Sequence, residues 1–493
     1  MNSDISKYTY KLFVQYFSQD ELDFIDSIMN NRGNWRKYND HDLRNNAPAT
    51  FFFVYNIYNL RPGEAPTFPR AYWNVPVKII SKMQVKRPEI ADKDIFSREL
   101  NRYFPELKAQ YLPKEYVVTI NNYTKLPADI YNNDTYWIIK PAQGLAGKGI
   151  KVTTTYNDYK QYFINLIKSK STQPQTSPMQ KYQTPQRRPI GSTQATKSSQ
   201  SSQSSQSSPW RSNKTQRPVP ASIPTQSYSS ANDQLPPWHK DKIKPVQSTQ
   251  TTSATEETST FFIISNYIKN PLLINNIANN QGYKFHLRVP FIYFLQNRNN
   301  PAIGFVCNRS LIFTAREPYK YGDWDNKNIH DSHLSSSFNQ ALVYPDDLDV
   351  RNSDGVEHIR QENIMKIDQA IDKISYGVLK TVDQYRGLSS YDNVESSFYI
   401  FGLDLLIDDD YNVWLLEINH NAAIFNYNSD FKKDFIAGLI SKIVDPYYPP
   451  ANPVLDNNFF RKVEDNNLVG GTNNNYEHKY LKYKNKYIKS KVA

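Results

Sequence analysis

The period of the apolar positions changes several times along the chain, and the changes predict a mixture of strands and helices. Two apolar runs, 399–407 and 413–419, flank the turn-forming stretch Asp408-Asp-Asp-Tyr-Asn412 and form a predicted β-hairpin. Further strands are predicted at Phe51-Phe-Phe-Val-Tyr55, Thr135-Tyr-Trp-Ile-Ile-Lys140, Phe261-Phe-Ile-Ile-Ser-Asn-Tyr-Ile268, 285–294, Ala302-Ile-Gly-Phe-Val306 and Ser310-Leu-Ile-Phe-Thr314. Helical spacing occurs at 20–29, and from Glu362 to Thr381 through Ile364, Ile367, Ile371, Ile374 and Leu379. Helices mixed with hairpins point to α+β layers rather than a doubly wound sheet.

The hairpin carries the most informative chemistry. If it is symmetric about the midpoint between Asp410 and Tyr411, Asp404 stands opposite Glu417, and Asn419 shares that face opposite Gly402. Facing carboxylates repel, and a divalent cation is the usual reason to keep such a pair, with Asp, Glu and Asn all supplying hard oxygen donors suited to Mg²⁺. A hairpin with one solvated face would carry acids too, but Leu406 and Leu415 fall on the carboxylate face in this register and argue against simple exposure.

Charge changes the picture through its placement. Of the net +11, residues 171–258 hold +6 and residues 471–493 hold +5, leaving the rest formally neutral. Residues 171–258 are Ser, Gln, Thr and Pro with almost no aliphatics, a composition that predicts a disordered insertion. In the tail, Tyr480, Tyr483 and Tyr487 recur at helical spacing among lysines, either a solvated basic helix or a docking helix for acidic surfaces. Basic appendages on a neutral body argue against a specific nucleic-acid-binding domain. A single cysteine, Cys307, precludes an intramolecular disulfide. With a polar N-terminus and no apolar run near the roughly 20 residues of a membrane span, the expectation is a soluble, monomeric, cytoplasmic protein that makes no membrane contact.

Lys140 ends an apolar strand, and Gly144, Gly147 and Gly149 follow before the chain becomes extended again at Ile150. A lysine on a rigid strand can hold nucleotide phosphates, and glycines let backbone N–H groups approach them. No helical pattern follows the glycines, unlike a Walker loop or a Rossmann fingerprint.

These segments resemble one family of ATP-grasp enzymes. Trp137-Ile-Ile-Lys-Pro-Ala-Gln-Gly-Leu-Ala-Gly-Lys-Gly-Ile150, Tyr267-Ile-Lys-Asn-Pro-Leu-Leu-Ile274, Lys284-Phe-His-Leu-Arg288, Glu317-Pro-Tyr319, His333-Leu334 and Trp414-Leu-Leu-Glu-Ile-Asn419 are similar, in order, to motifs of the tubulin–tyrosine ligase family, over about 105–170 and 259–440. The resemblance implies an α+β ATP-grasp fold. Its expected parts are an N-terminal domain at 1–104, a central subdomain from 105–170 and 259–268, the insertion at 171–258, a C-terminal subdomain at 269–450, and a linker and tail at 451–493. It implies that Lys140, Gly144, Gly147, Lys148 and Gly149 hold the ATP phosphates. Tyr267 and Ile268 would present backbone to adenine, with Lys284 and His286 nearby. Asp404, Glu417 and Asn419 would hold Mg²⁺, with Glu417 also catalytic. Arg288 would bind the amino-acid substrate or the charge of an acyl phosphate, although a structural Arg–Asp pair is an alternative role.

The implied activity joins a free amino acid (tyrosine, glutamate or glycine) to tubulin. Another acidic protein acceptor, or a silent tubulin-binding role, stands as an alternative. Departures from the family motifs fall on the substrate side: Ala146 for a basic residue, His286 for Asp, Ser265 for Gln, Asn308 beside Arg309 for a second Arg, and Ser336 for Asn. The Lys/Tyr tail and Asn/Ile-rich usage also resemble proteins of large DNA viruses, in which case the tubulin and the cytoplasm would be a host's.

Overall fold

The computed structural model describes residues 7–14, 17–55, 72, 75–81, 89–126, 130–131, 135–142, 149–171, 261–276, 280–297, 300–330, 332, 342–343, 349–352, 355–385, 394–420, 429–452 and 458–464. The predicted insertion and tail lie outside these residues, as do Gly144, Ala146, Gly147, Lys148, His333, Leu334 and Ser336. The described residues all belong to one compact unit, 1–172 together with 258–493.

The first third of the chain runs β1 (Tyr8–Val14), α1 (Gln19–Asn30), β2 (Trp35–Lys37), α2 (Asp40–Arg44), β3 (Ala49–Tyr55), β4 (Val77–Ser81), α3 (Lys93–Tyr103) and α4 (Pro105–Tyr111). It continues through β5 (Glu115–Thr119), β6 (Trp137–Pro141), β7 (Lys151–Thr153) and α5 (Tyr156–Ser171). Then come β8 (Phe261–Asn266), β9 (Leu273–Asn276), β10 (Gln281–Leu295), β11 (Ile303–Cys307), β12 (Ser310–Thr314), α6 (Lys327–His330), β13 (Leu342–Val343), β14 (Asp349–Asn352) and β15 (Gly355–His358). The last elements are α7 (Gln361–Tyr385), β16 (Val394–Ile407), β17 (Val413–Asn419), α8 (Ser429–Leu439) and β18 (Phe460–Lys462). The architecture is α+β, as the periodicity predicts.

Two sheets organise the fold. The larger is mixed and has the order β15-β14-β9-β10-β16-β4-β3-β1-β2, with β11, β12, β13, β17 and β18 branching from it; the smaller is antiparallel, β5-β8-β6-β7. β4 pairs in parallel with β16, so the strand ladder runs without a break from the N-terminal segment into the C-terminal one. α7 lays Ile364, Ile367, Ile371, Ile374, Val378 and Val382 on one face of the large sheet, meeting Phe285, Leu287, Val289, Phe291 and Tyr293 of β10. The opposite face packs Ile292, Phe294 and Phe398 against α1 and α8 through Ile25, Met29, Phe431 and Phe435. β10 tolerates Pro290 because on that edge its partner changes there, from β12 at 285–288 to β11 at 291–294, where a missing N–H costs no ladder bond.

α1 begins with a capping box, in which the Ser18 hydroxyl accepts from the Glu21 N–H and the Glu21 carboxylate accepts from the Ser18 N–H. β7 follows the glycines directly, as the extended chain expected from Ile150 requires, and α5 is a helix behind it that the periodicity did not show. The buried stripe of α5 is aromatic: Tyr159 and Phe163 pack on Trp137 and Phe262 of the small sheet.

Candidate active site

One cleft lies between the two sheets, and its lining draws on both. Lys140 and Ile138 come from β6, Val152 from β7, Ser265 from β8, Lys284 and His286 from β10, and Asp404 and Glu417 from the hairpin β16–β17. The β10 side chains reach it by alternation: Lys284, His286 and Arg288 share one parity, while Phe285, Leu287 and Val289 turn into the core under α7. Arg288 stands opposite Asp404 in the β10–β16 ladder.

Asp404 pairs with Glu417, and Gly402 with Asn419, as expected, but the hairpin is not symmetric. Nearer the turn Ile407 faces Val413 and Leu405 faces Leu415, and the register shifts beyond Leu405. Leu416 is the extra residue of this β-bulge. The bulge corrects the expected face of Leu415, which packs in the core with Leu405, while Leu416 lines the cleft beside Glu417. Strict alternation from a core-facing Leu415 would have turned Glu417 into the core too; the extra residue returns it to the site. The turn is shaped by Asp408, whose carboxylate accepts from the Asp410 and Asn412 N–H groups and from the Trp414 indole.

The carboxylates are held by directed donors. Arg288 donates from Nε and from Nη2 to the two oxygens of Asp404, each at 2.8 Å, and its guanidinium lies over the Phe313 ring. The Arg–Asp pair weighed as the alternative role for Arg288 is therefore present. Asn419 Nδ2 donates to Asp404 Oδ2 at 2.8 Å and to Glu417 Oε1 at 3.1 Å. An N–H donor thus bridges the two acids where a cation would be attracted; with the amide turned over, Asn419 would present Oδ1 and complete an all-oxygen set. The donor chemistry fits a hard divalent cation. Glu417 also pairs with Lys93, from the first turn of α3, at 2.8 Å. His286 stacks on Phe313 and shares a 2.6 Å hydrogen bond with Ser332.

Burial pushes the Lys140 ammonium below the ordinary lysine value; Glu417 opposes this shift and Lys93 adds to it. A lysine held with a weakened proton and carboxylates nearby is poised to gain from a polyanionic ligand. Gly149, at the end of the glycine loop, has φ of +76°, and a Cβ there would lie 2.8 Å from the Pro141 ring. The Tyr162 hydroxyl donates to its carbonyl.

At the other end of the cleft, the Tyr267 N–H donates to the Tyr136 carbonyl, fixing the crossing from the small sheet to the large one. Tyr267, Lys284, Trp324 and His330 line this end, and Trp324 stacks on His330 and packs at a tilt against Tyr136. Lys151 on β7 pairs with Asp325 across the cleft. Asn308 and Arg309 do not join the site: Asn308 is tied to Asn458 and Arg461, and Arg309 to Asp434. Sequence reasoning missed Lys93, Trp324, His330, Ser332 and Leu416. Trp324, an aromatic in the polar run Gly322-Asp-Trp-Asp-Asn326, is the one that carried a local signal.

Comparison with known proteins bears on the same residues. Residues 235–455 match the model of the Tubulin-tyrosine ligase family. That stretch, under half of the chain, is where the similarity to the family lies. It contains the hinge, β10 and the carboxylate hairpin. The probable tubulin–tyrosine ligase PBY1 of Saccharomyces cerevisiae is 32% identical over 190 residues, 37% of this chain and 23% of that protein. The tubulin monoglycylase TTLL3 of Mus musculus is 27% identical over 171 residues, 33% of this chain and 17% of that protein. The chain thus spans under a quarter of the length of these relatives. Among solved structures, the C-terminal domain of K. lactis Pby1, described as an ATP-grasp enzyme interacting with the mRNA decapping enzyme Dcp2, aligns with a TM-score of 0.48 at 13% identity. The alignment covers 93% of this chain and 99% of that one.

Proposed function

We propose that the protein is an ATP- and Mg²⁺-dependent carboxylate–amine ligase that joins an amino acid to a protein acceptor, with tubulin the favoured acceptor. The observation that carries this reading is the convergence of Asp404, Glu417 and Asn419 on one face of the hairpin, with Asp404 and Glu417 lining a cleft shared with Lys140 from the other sheet. The tubulin-modifying names of the similar proteins support the choice of acceptor.

In this reading Lys140 and the segment ending at Gly149 hold the phosphates, and the apolar walls Ile138, Val152 and Leu406 take the base. A divalent cation held by Asp404, Glu417 and Asn419 would supply charge neutralisation between phosphate oxygens. Arg288, fixed by Asp404, orients that carboxylate and places a cation at the acceptor side of the hairpin. An oxygen of the acceptor carboxylate attacks the γ-phosphorus and ADP leaves. The amine then attacks the carbonyl carbon of the acyl phosphate and loses a proton, and phosphate departs with the acceptor's oxygen. The protein contributes position and charge rather than a covalent intermediate of its own.

The test is mass spectrometry of tubulin incubated with the protein, ATP, Mg²⁺ and mixed amino acids. The reading predicts ATP-dependent mass gains equal to an amino-acid residue. Gains on another acidic protein and none on tubulin would move the activity to that acceptor.

A further inference from the structure

His330 lies outside every motif that carries the family resemblance, yet its hydrogen bonds form a directed chain into the cleft. Its Nε2 is 2.8 Å from the Asp323 carbonyl, which can only accept, so Nε2 carries the proton. Burial lowers the affinity of this ring for a second proton, with the Lys284 ammonium acting in the same sense, so Nδ1 is an acceptor. The Tyr267 hydroxyl, 2.8 Å away, donates its single proton to Nδ1. That leaves the Tyr267 oxygen to accept from Lys284 Nζ at 3.0 Å, and the same ammonium lies over the Tyr267 ring, 4.4 Å from its centre. The Tyr319 hydroxyl, whose own proton goes to the Lys269 carbonyl, is a further partner of the Tyr267 hydroxyl, so the chain branches at that oxygen. Lys284 and Tyr267 are both buried, and Trp324 stacks on the imidazole at 5.7 Å, fixing the plane of the ring.

We propose that His330 is a positioning residue for the nucleotide base: acting through Tyr267, it fixes the Lys284 ammonium as an N–H donor toward the acceptor edge of a purine. The proposal rests on the nucleotide reading of the cleft and adds to it a residue that need not touch the ligand. A lysine without such a tether would lose rotamer freedom on binding and present its donor less often in the right direction. Because the chain lies at the hinge end, away from Lys140, it acts on the base and not on the phosphates.

The test uses the full chain in calorimetric titrations with ATP and, separately, with inorganic tripolyphosphate, at fixed Mg²⁺. His330→Leu and Tyr267→Phe are each expected to weaken ATP binding by about three- to tenfold, the range for loss of one hydrogen bond in a buried chain. Tripolyphosphate affinity should stay the same. His330→Asn, whose amide oxygen can stand where Nδ1 accepts, should recover most of the loss. Equal weakening of both ligands would show a merely structural histidine and overturn the proposal, as would unchanged ATP binding in His330→Leu. A wild-type protein that binds tripolyphosphate but gains nothing from the base would overturn the relay alone. One that binds neither ligand would remove the nucleotide reading and the relay with it.

Discussion

Replacing Arg288 with Met isolates the buried ion pair at the centre of the site. Arg288 and Asp404 have side chains 7% and 2% exposed and share two 2.8 Å hydrogen bonds. Removing one partner of such a pair typically costs about 3–5 kcal/mol, because the other charge is left buried. Asp404 would keep the Asn419 amide at 2.8 Å, which puts the expected loss near the lower end, about 3 kcal/mol. Met matches the aliphatic length of Arg and still covers Phe313, so the loss reports the charge and not a cavity. Urea denaturation of the wild type, Arg288→Met and the double variant Arg288→Met/Asp404→Leu gives the measurement. Removing both charges should recover most of the stability, to within about 1 kcal/mol of wild type, because a buried pair is worth little against apolar replacements. A single variant that loses under about 1 kcal/mol, or a double variant no more stable than the single, would refute the claim that Arg288 is what makes a buried Asp404 tolerable. Ligation should be absent in both variants.

Other residues give sharper readings of function. Glu417→Gln should abolish ligation while changing stability by under about 1 kcal/mol, since its partner Lys93 is partly exposed; activity assays with parallel melting curves check this. Lys140→Met should weaken ATP binding by more than about tenfold, the scale of a lost charge-assisted contact. It should also raise the melting temperature at neutral pH. The folded-state value of Lys140 is depressed by burial below the unfolded one, so the unfolded chain holds the proton more tightly and wild-type stability climbs with pH through that window. The gain from Met should therefore close as pH approaches 10.5, the ordinary lysine value, in melts taken across that range. Gly149→Ala, at positive φ and with Pro141 in the way, should cost about 1–3 kcal/mol and weaken ATP binding, measured by denaturation and titration. Replacing residues 175–255 with a short Gly/Ser linker should leave the melting temperature within about 5 °C, since loop length adds little closure entropy.

Much of the site was legible because strand alternation is a strong local constraint. The opposition of Asp404 and Glu417, and the common face of Lys284, His286 and Arg288, follow from counting by twos along 284–288 and across one hairpin. The bulge at Leu416 was not legible, since nothing in the run Leu415-Leu-Glu417 shows that the consecutive residues Leu416 and Glu417 share a face. α5 was missed because its buried side is Tyr159 and Phe163, aromatics that suit a strand as well as a helix. Lys93 was out of reach for a different reason. It meets Glu417 only through the packing of α3 on α7 and the parallel pairing of β4 with β16, contacts between segments hundreds of residues apart that no local pattern encodes. The same holds for His330, whose role depends on where the segment after β12 folds back over the hinge.

The central claim is that an acceptor carboxylate is activated by phosphoryl transfer in this cleft, and the fate of one oxygen atom tests it most directly. An acceptor whose carboxylates carry heavy oxygen is incubated with the protein, ATP, Mg²⁺ and an amino acid, and the released phosphate is analysed by mass spectrometry. The account predicts one heavy oxygen transferred to phosphate for each amide formed, and none with Glu417→Gln. Amide formation with unlabelled phosphate, or phosphate release that takes its oxygen only from water, would contradict it.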